Sequence, residues 1–97
     1  KPIVICVFNK SLMKDYIKLQ KIIRDSNISI EIYPGDNKLK KQMEYANKIN
    51  APAVILYGEN EIKTGKPTLR NLSTGEEQSI PIKEIVNEIK KIIWSNY

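Results

Sequence analysis

Four consecutive apolar residues, Val54-Ile55-Leu56-Tyr57, bracketed by Pro52 and Gly58, constrain this chain more than any other stretch. An unbroken apolar run of strand length cannot alternate between core and water, so it reads as a strand buried on both faces, inside a parallel sheet. Asn50-Ala51-Pro52 stops any helix that precedes it. Gly58 ends the run and Glu59-Asn60-Glu61 follow. A buried strand therefore delivers a carboxylate-bearing turn to the C-terminal edge of the sheet, where open α/β sheets present groups to ligands.

The segments around this strand build the rest of the sheet. Ile3 to Phe8, IVICVF, reads as a second strand buried on both faces. A helix from Asn9 or Ser11 to about Asp25 carries Leu12, Tyr16, Leu19 and Ile23 on one stripe, widened by Met13 and Ile17, and Ser26-Asn27 end it. Ile28 to Tyr33 alternate strictly, as in a strand near a sheet edge with one wet face. After the turn Pro34-Gly35-Asp36, a second helix capped by Asp36 or Asn37 runs to about Ile49 with the stripe Leu39, Met43, Ala46, Ile49. Beyond the central strand, Lys63-Thr64-Gly65-Lys66 turn the chain back into an antiparallel strand, Pro67 to Leu72. Glu77 to Ile80 form a last short strand, and Pro81 opens a third helix to about Trp94. The order β-α-β-α-β-β-β-α, with right-handed crossovers, predicts a three-layer α/β domain. It has a five-stranded mixed sheet, three parallel strands plus an antiparallel extension, and three helices.

Composition narrows the chemistry. The 97 residues form one domain, with no apolar run of membrane-spanning length and no signal peptide. The chain opens Lys1-Pro2 and enters a strand almost at once, so it is expected to be a domain of a longer chain. Cys6 is alone and lies inside an apolar run, which makes it an inert core thiol in a reducing compartment. There is no His, no cysteine cluster, no GxGxxG, no Walker sequence and no GxSxG, so imidazole catalysis, structural zinc and the common cofactor motifs find no support here.

The net charge of +5 lies wholly in the first half, where ten Lys or Arg face five Asp or Glu across residues 1–50. That asymmetry fits a polyanion-facing side, although a Lys-, Ile- and Asn-rich composition yields similar lysines. Lys38, Lys40 and Lys41 crowd the first turn of the second helix, each opposing the macrodipole by about 0.3 to 1 kcal/mol, and phosphate contact would explain the placement. Glu61 closes a GxxE turn, and Arg70 is one of only two arginines among sixteen basic residues. If the hairpin brings Glu61 beside Arg70, the two match the hydrogen-bonding edges of guanine, or else form a surface salt bridge. Tyr33 and Tyr45 are candidate stacking surfaces for unpaired bases, with core packing the better reading for Tyr45. Trp94 and Tyr97 are expected to pack on the sheet or on a domain outside this chain.

Read together, Tyr33-Pro34-Gly35-Asp36, Leu39-Lys40-Lys41-Gln42, Tyr45-Ala46-Asn47-Lys48, Gly58-Glu59-Asn60-Glu61 and Leu69-Arg70-Asn71-Leu72 through Thr74-Gly75-Glu76 form a collinear series over nearly the whole chain. The series resembles the C-terminal anticodon-binding domain of histidyl-tRNA synthetases, class II enzymes whose threonyl, prolyl and glycyl relatives share the fold and the GxxE turn. The resemblance implies a non-catalytic domain of a cytoplasmic, homodimeric histidine–tRNA ligase. Its catalytic domain would be absent from this chain and would hold ATP and magnesium, with no cofactor in this domain. The implied partners are that catalytic domain and the anticodon stem-loop of histidine tRNA, with neither DNA nor a membrane. By the same resemblance Glu61 and Arg70 contact anticodon bases, and Asp36, Asn37 and Lys38 approach the loop, with Lys40, Lys41 and Tyr33 beside them. Many histidyl enzymes carry lysine where Arg70 stands, which leaves open the base it meets. Two readings compete: a related synthetase of another specificity, and an RNA-independent interaction or regulatory module of the same fold. A small-molecule enzyme ranks last, for it requires a pocket with perturbed titratable groups.

Overall fold

The computed structural model describes residues 1–95. Its elements run β1 (Ile3–Cys6), α1 (Met13–Arg24), β2 (Ile30–Ile32), α2 (Leu39–Lys48), β3 (Ala53–Leu56), α3 (Glu59–Thr64), β4 (Thr68–Asn71), β5 (Glu77–Ser79) and α4 (Ile82–Ser95), with a 3-10 turn at Lys10–Leu12 before α1. The sheet order is β2-β1-β3-β4-β5. β1 pairs in parallel with β2 and β3, and β4 and β5 extend the sheet antiparallel, so the expected three-layer fold holds.

Alternation along the strands divides the core. Ile3, Ile5, Val7, Ile55 and Leu69 face Tyr16, Leu19 and Ile23 of α1 and Ile85 and Ile89 of α4. Val4, Cys6 and Val54 face Ala46 of α2 on the other side. Burial pushes the Cys6 thiol up to about 12, as befits an inert core residue. Both α1 and α2 stop where an asparagine, Asn27 or Asn50, takes a left-handed conformation at φ 64° or 59°.

Several local expectations are corrected. The segment after Gly58, read as a turn, is the short helix α3, so four helices stand where three were expected. β2 spans three residues rather than six, and Ile17 of α1 is exposed. In α2 the phase shifts: Leu39 is exposed, and the fully buried residues are Gln42 and Ala46. Phe8, taken as the last residue of a buried strand, is 49% exposed. Trp94 is 66% exposed and does not pack on the sheet, while Tyr97 lies outside the described residues.

Candidate nucleic-acid interface

β1 ends at Cys6, and the backbone of the next two residues must find partners other than neighbouring strands. Gln42 supplies them from α2: the Val7 N–H donates to its Oε1 at 2.7 Å, and its Nε2 donates to the Val7 carbonyl at 2.7 Å and the Asn37 carbonyl at 2.8 Å. A side-chain amide offers the donor and acceptor of a backbone unit, so Gln42 continues the ladder by one residue and ties it to the loop before α2. From the other face of the sheet, the hydroxyl of fully buried Tyr16 accepts from the Phe8 N–H at 3.1 Å. The C-terminal edge of β1 is thereby clamped from both layers.

The β2 side of this edge is organised by Tyr33. Its hydroxyl donates to Asn37 Oδ1 at 2.8 Å, and its ring meets Tyr45 edge-on with centroids 5.3 Å apart. Tyr45 in turn donates to Glu31 Oε1 at 2.9 Å, and that hydrogen bond, followed by burial, raises its pKa. The Tyr33 ring crosses the turn so closely that a Cβ on Gly35 would lie 3.2 Å from Cε2 of the ring and 3.0 Å from Asn37 Oδ1. Asn37 therefore holds the loop, and neither it nor Asp36 caps α2. The N-cap is Lys38, with no side-chain cap bond, and Asp36 pairs with Lys10 at 3.5 Å across exposed surface. Lys40 is exposed, and Lys41 approaches Glu44 at 3.9 Å. The α2 start thus carries cations with no acidic residue in its first turn.

On the β3 side, Glu61 turns back and its Oε1 accepts from the Gly58 N–H at 2.7 Å, the return half of a capping box. A Cβ at position 58 would stand 3.0 Å from that oxygen, so glycine is required by close approach rather than by its φ of −94°. This cap is why GENEIK folds as a helix. Oε2 of Glu61 has no hydrogen-bond partner among the described residues and remains available.

Arg70 lies elsewhere. β4 runs antiparallel to β3 with Thr68 opposite Leu56 and Arg70 opposite Val54, so Arg70 starts four residues back from Gly58, roughly 13 Å along the strand. It pairs with Glu77 of β5 at 3.2 Å, on the face that α2 shares, and its Nε is buried with no hydrogen-bond partner among the described residues. The expected Glu61–Arg70 clamp is therefore corrected: the former caps α3, the latter bonds across β4–β5, and each holds its own partner. The structure gathers Tyr33, Asp36, Asn37, Lys38, Lys40, Lys41 and Glu61 around one edge and leaves Arg70 on the adjoining sheet face.

Residues 2–92 match the family model of the anticodon binding domain. The chain belongs to that family. Among curated relatives, this anticodon-binding domain is 40% identical over 96% of its length to histidine–tRNA ligase of Pelagibacter ubique, and 40% identical over 81% of its length to that of Methanococcus maripaludis. It spans 21% and 19% of those two proteins, about a fifth of each. In fold it is similar to histidyl-tRNA synthetase from Nostoc sp. PCC 7120, with a TM-score of 0.90 and 23% identity over 94% of this chain and 22% of that one. The apo histidyl-tRNA synthetase of S. aureus gives a TM-score of 0.78 and 24% identity over 91% and 26% of the two chains. At these identities the likeness to the solved structures is one of fold.

Two residues that build the edge of this anticodon-binding domain were not singled out from the sequence. Gln42 looked like a polar residue on a helix, and only its phase, one turn before Ala46, could have marked it as inward-facing. Phe8 was concealed by the apolar run it ends. Two cavities lie elsewhere: one of about 220 Å³ between β4–β5 and α4, lined by Leu69, Gln78 and Ile92, and one of about 520 Å³ near Asn50, Pro52 and Leu72. Among the described residues, the groups with shifted pKa are Cys6, Tyr45 and Tyr57, and none of the three lines either cavity.

Proposed function

We propose that this domain reads the GUG anticodon of histidine tRNA as part of a cytoplasmic, homodimeric histidine–tRNA ligase. The observation that carries the reading is the similarity to histidine–tRNA ligases over nearly the whole of this chain and about a fifth of theirs. The domain is then a piece of a longer protein, non-catalytic in itself. The ATP and magnesium that drive joining of histidine to tRNA belong to the catalytic domain. In this reading Lys38, Lys40 and Lys41 meet loop phosphates, with the open backbone donors of the α2 start beside them. Glu61 Oε2 accepts from a base edge, the Tyr33–Asp36–Asn37 loop lies against the anticodon loop, and Arg70 makes a separate contact on the sheet face after yielding part of its bond to Glu77.

A second role is favoured by one observation. Trp94 is 66% exposed on α4, away from the lysine-bearing edge, which suits docking on the catalytic domain of the same protein. The test of the main reading is a titration of this chain with RNA hairpins that differ only at the three anticodon letters. GUG should bind tightest, and affinity should fall steeply with salt. Equal affinity for scrambled letters would remove base reading from the account.

A further inference from the structure

We infer that Phe8 is a stacking platform for one unpaired nucleobase of the RNA loop, an inference that rests on the anticodon-reading function proposed above. Phe8 is the single phenylalanine of the chain, and it stands 49% exposed where the strands β2, β1 and β3 end side by side. A large aromatic half in water at a sheet edge gives up hydrophobic stabilisation unless something covers it.

Three features suit a flat, electron-rich partner. The backbone beneath the ring is fixed from two layers, by Tyr16 on the Phe8 N–H and by Gln42 on both polar groups of Val7, so little order remains to be lost on binding. One edge of the ring lies beside Gly58, where an added Cβ would stand 3.7 Å from Phe8 Cδ2, so a side chain at that position would crowd the ring and glycine leaves that flank open. The surroundings also carry complementary chemistry. The α2 start, with Lys38 and Lys40, lies at the C-terminal end of β2, and the free Oε2 of Glu61 lies at that of β3. β1, which delivers Phe8, runs between those two strands. A base lying on Phe8 would therefore have cations on one side for its backbone and a carboxylate on the other for its donor edge. Stacking of this kind tolerates any base, so Phe8 would contribute affinity and place the loop, while discrimination falls to its neighbours.

The test replaces each loop nucleotide in turn with 2-aminopurine in a hairpin carrying GUG, and follows quenching on binding this chain. The unmutated protein and Phe8→Trp should quench the probe at one loop position. Phe8→Leu should abolish that quenching and weaken binding roughly tenfold, with an unchanged salt slope. Thermal melting confirms that each variant is folded. Full affinity and full quenching in folded Phe8→Leu would overturn the inference and leave the function reading intact. A tenfold loss in Phe8→Trp as well as in Phe8→Leu would also overturn it, since stacking would then be irrelevant. No binding of any hairpin by the unmutated chain would remove the function reading, and this inference with it.

Discussion

The parallel half of the sheet and its antiparallel extension are built to different standards. At the C-terminal edge of β2, β1 and β3, side-chain hydrogen bonds hold the backbone: buried Gln42 and Tyr16 clamp residues 7 and 8, Tyr33 and exposed Asn37 fix the turn before α2, and half-buried Glu61 caps α3. In the extension, every residue of β5 is exposed, and the prominent side-chain bond is a half-exposed ion pair between Arg70 and Glu77. Rigidity and the exposed cations Lys38 and Lys40 coincide at the edge, whereas in the extension Arg70 is already engaged by Glu77. A surface that must hold a flexible RNA loop gains from groups already in place, and a lone surface pair offers little of that.

Substitutions test this contrast. The largest effect is expected at Gln42. Gln42→Ala strands buried polar groups of Val7 and should lower stability by about 3 kcal/mol in urea unfolding, and it should weaken RNA binding in the folded fraction. A loss below about 1 kcal/mol would mean the edge is not held as described. Next comes the cap: Glu61→Ala should cost about 1 kcal/mol by the same measurement and reduce discrimination among anticodon letters, because one carboxylate serves both ends. Lys40→Ala should leave stability within about 0.5 kcal/mol, weaken all hairpins alike and flatten the slope of log K against log salt by about one. The smallest effect belongs to the extension. A double-mutant cycle on Arg70 and Glu77 should give a coupling of about 0.5 kcal/mol, and a value above about 1.5 would erase the distinction between the two regions.

Much of this architecture could be read from residue order. Apolar runs at Ile3 and Val54, alternation near Ile28, and helix stripes ending in asparagine give the strand directions and the layers, because those signals are repeated along each element, whereas the order β2-β1-β3-β4-β5 came from the structure. What escaped depended on single side chains acting across the fold. The Gly58…Glu61 spacing is a capping signal as well as a family motif, and it was read only as a turn that displays a carboxylate. Nothing local says that Gln42 replaces a strand partner for Val7, and pattern alone extends β1 to Phe8. The distance between Glu61 and Arg70 followed from register and from the added helix α3, neither of which pattern alone supplies. The candidate residues from Tyr33 to Lys41 were legible as a group because one loop and one helix start carry them all.

The most direct check on where the RNA sits is amide chemical-shift mapping of this chain on addition of a GUG hairpin. The largest shifts are expected at residues 8–10, 33–41 and 58–61, with smaller ones at Arg70 and its partner Glu77 and little change in the rest of β5. Shifts concentrated on β5 and the end of α4, with the edge undisturbed, would contradict that placement.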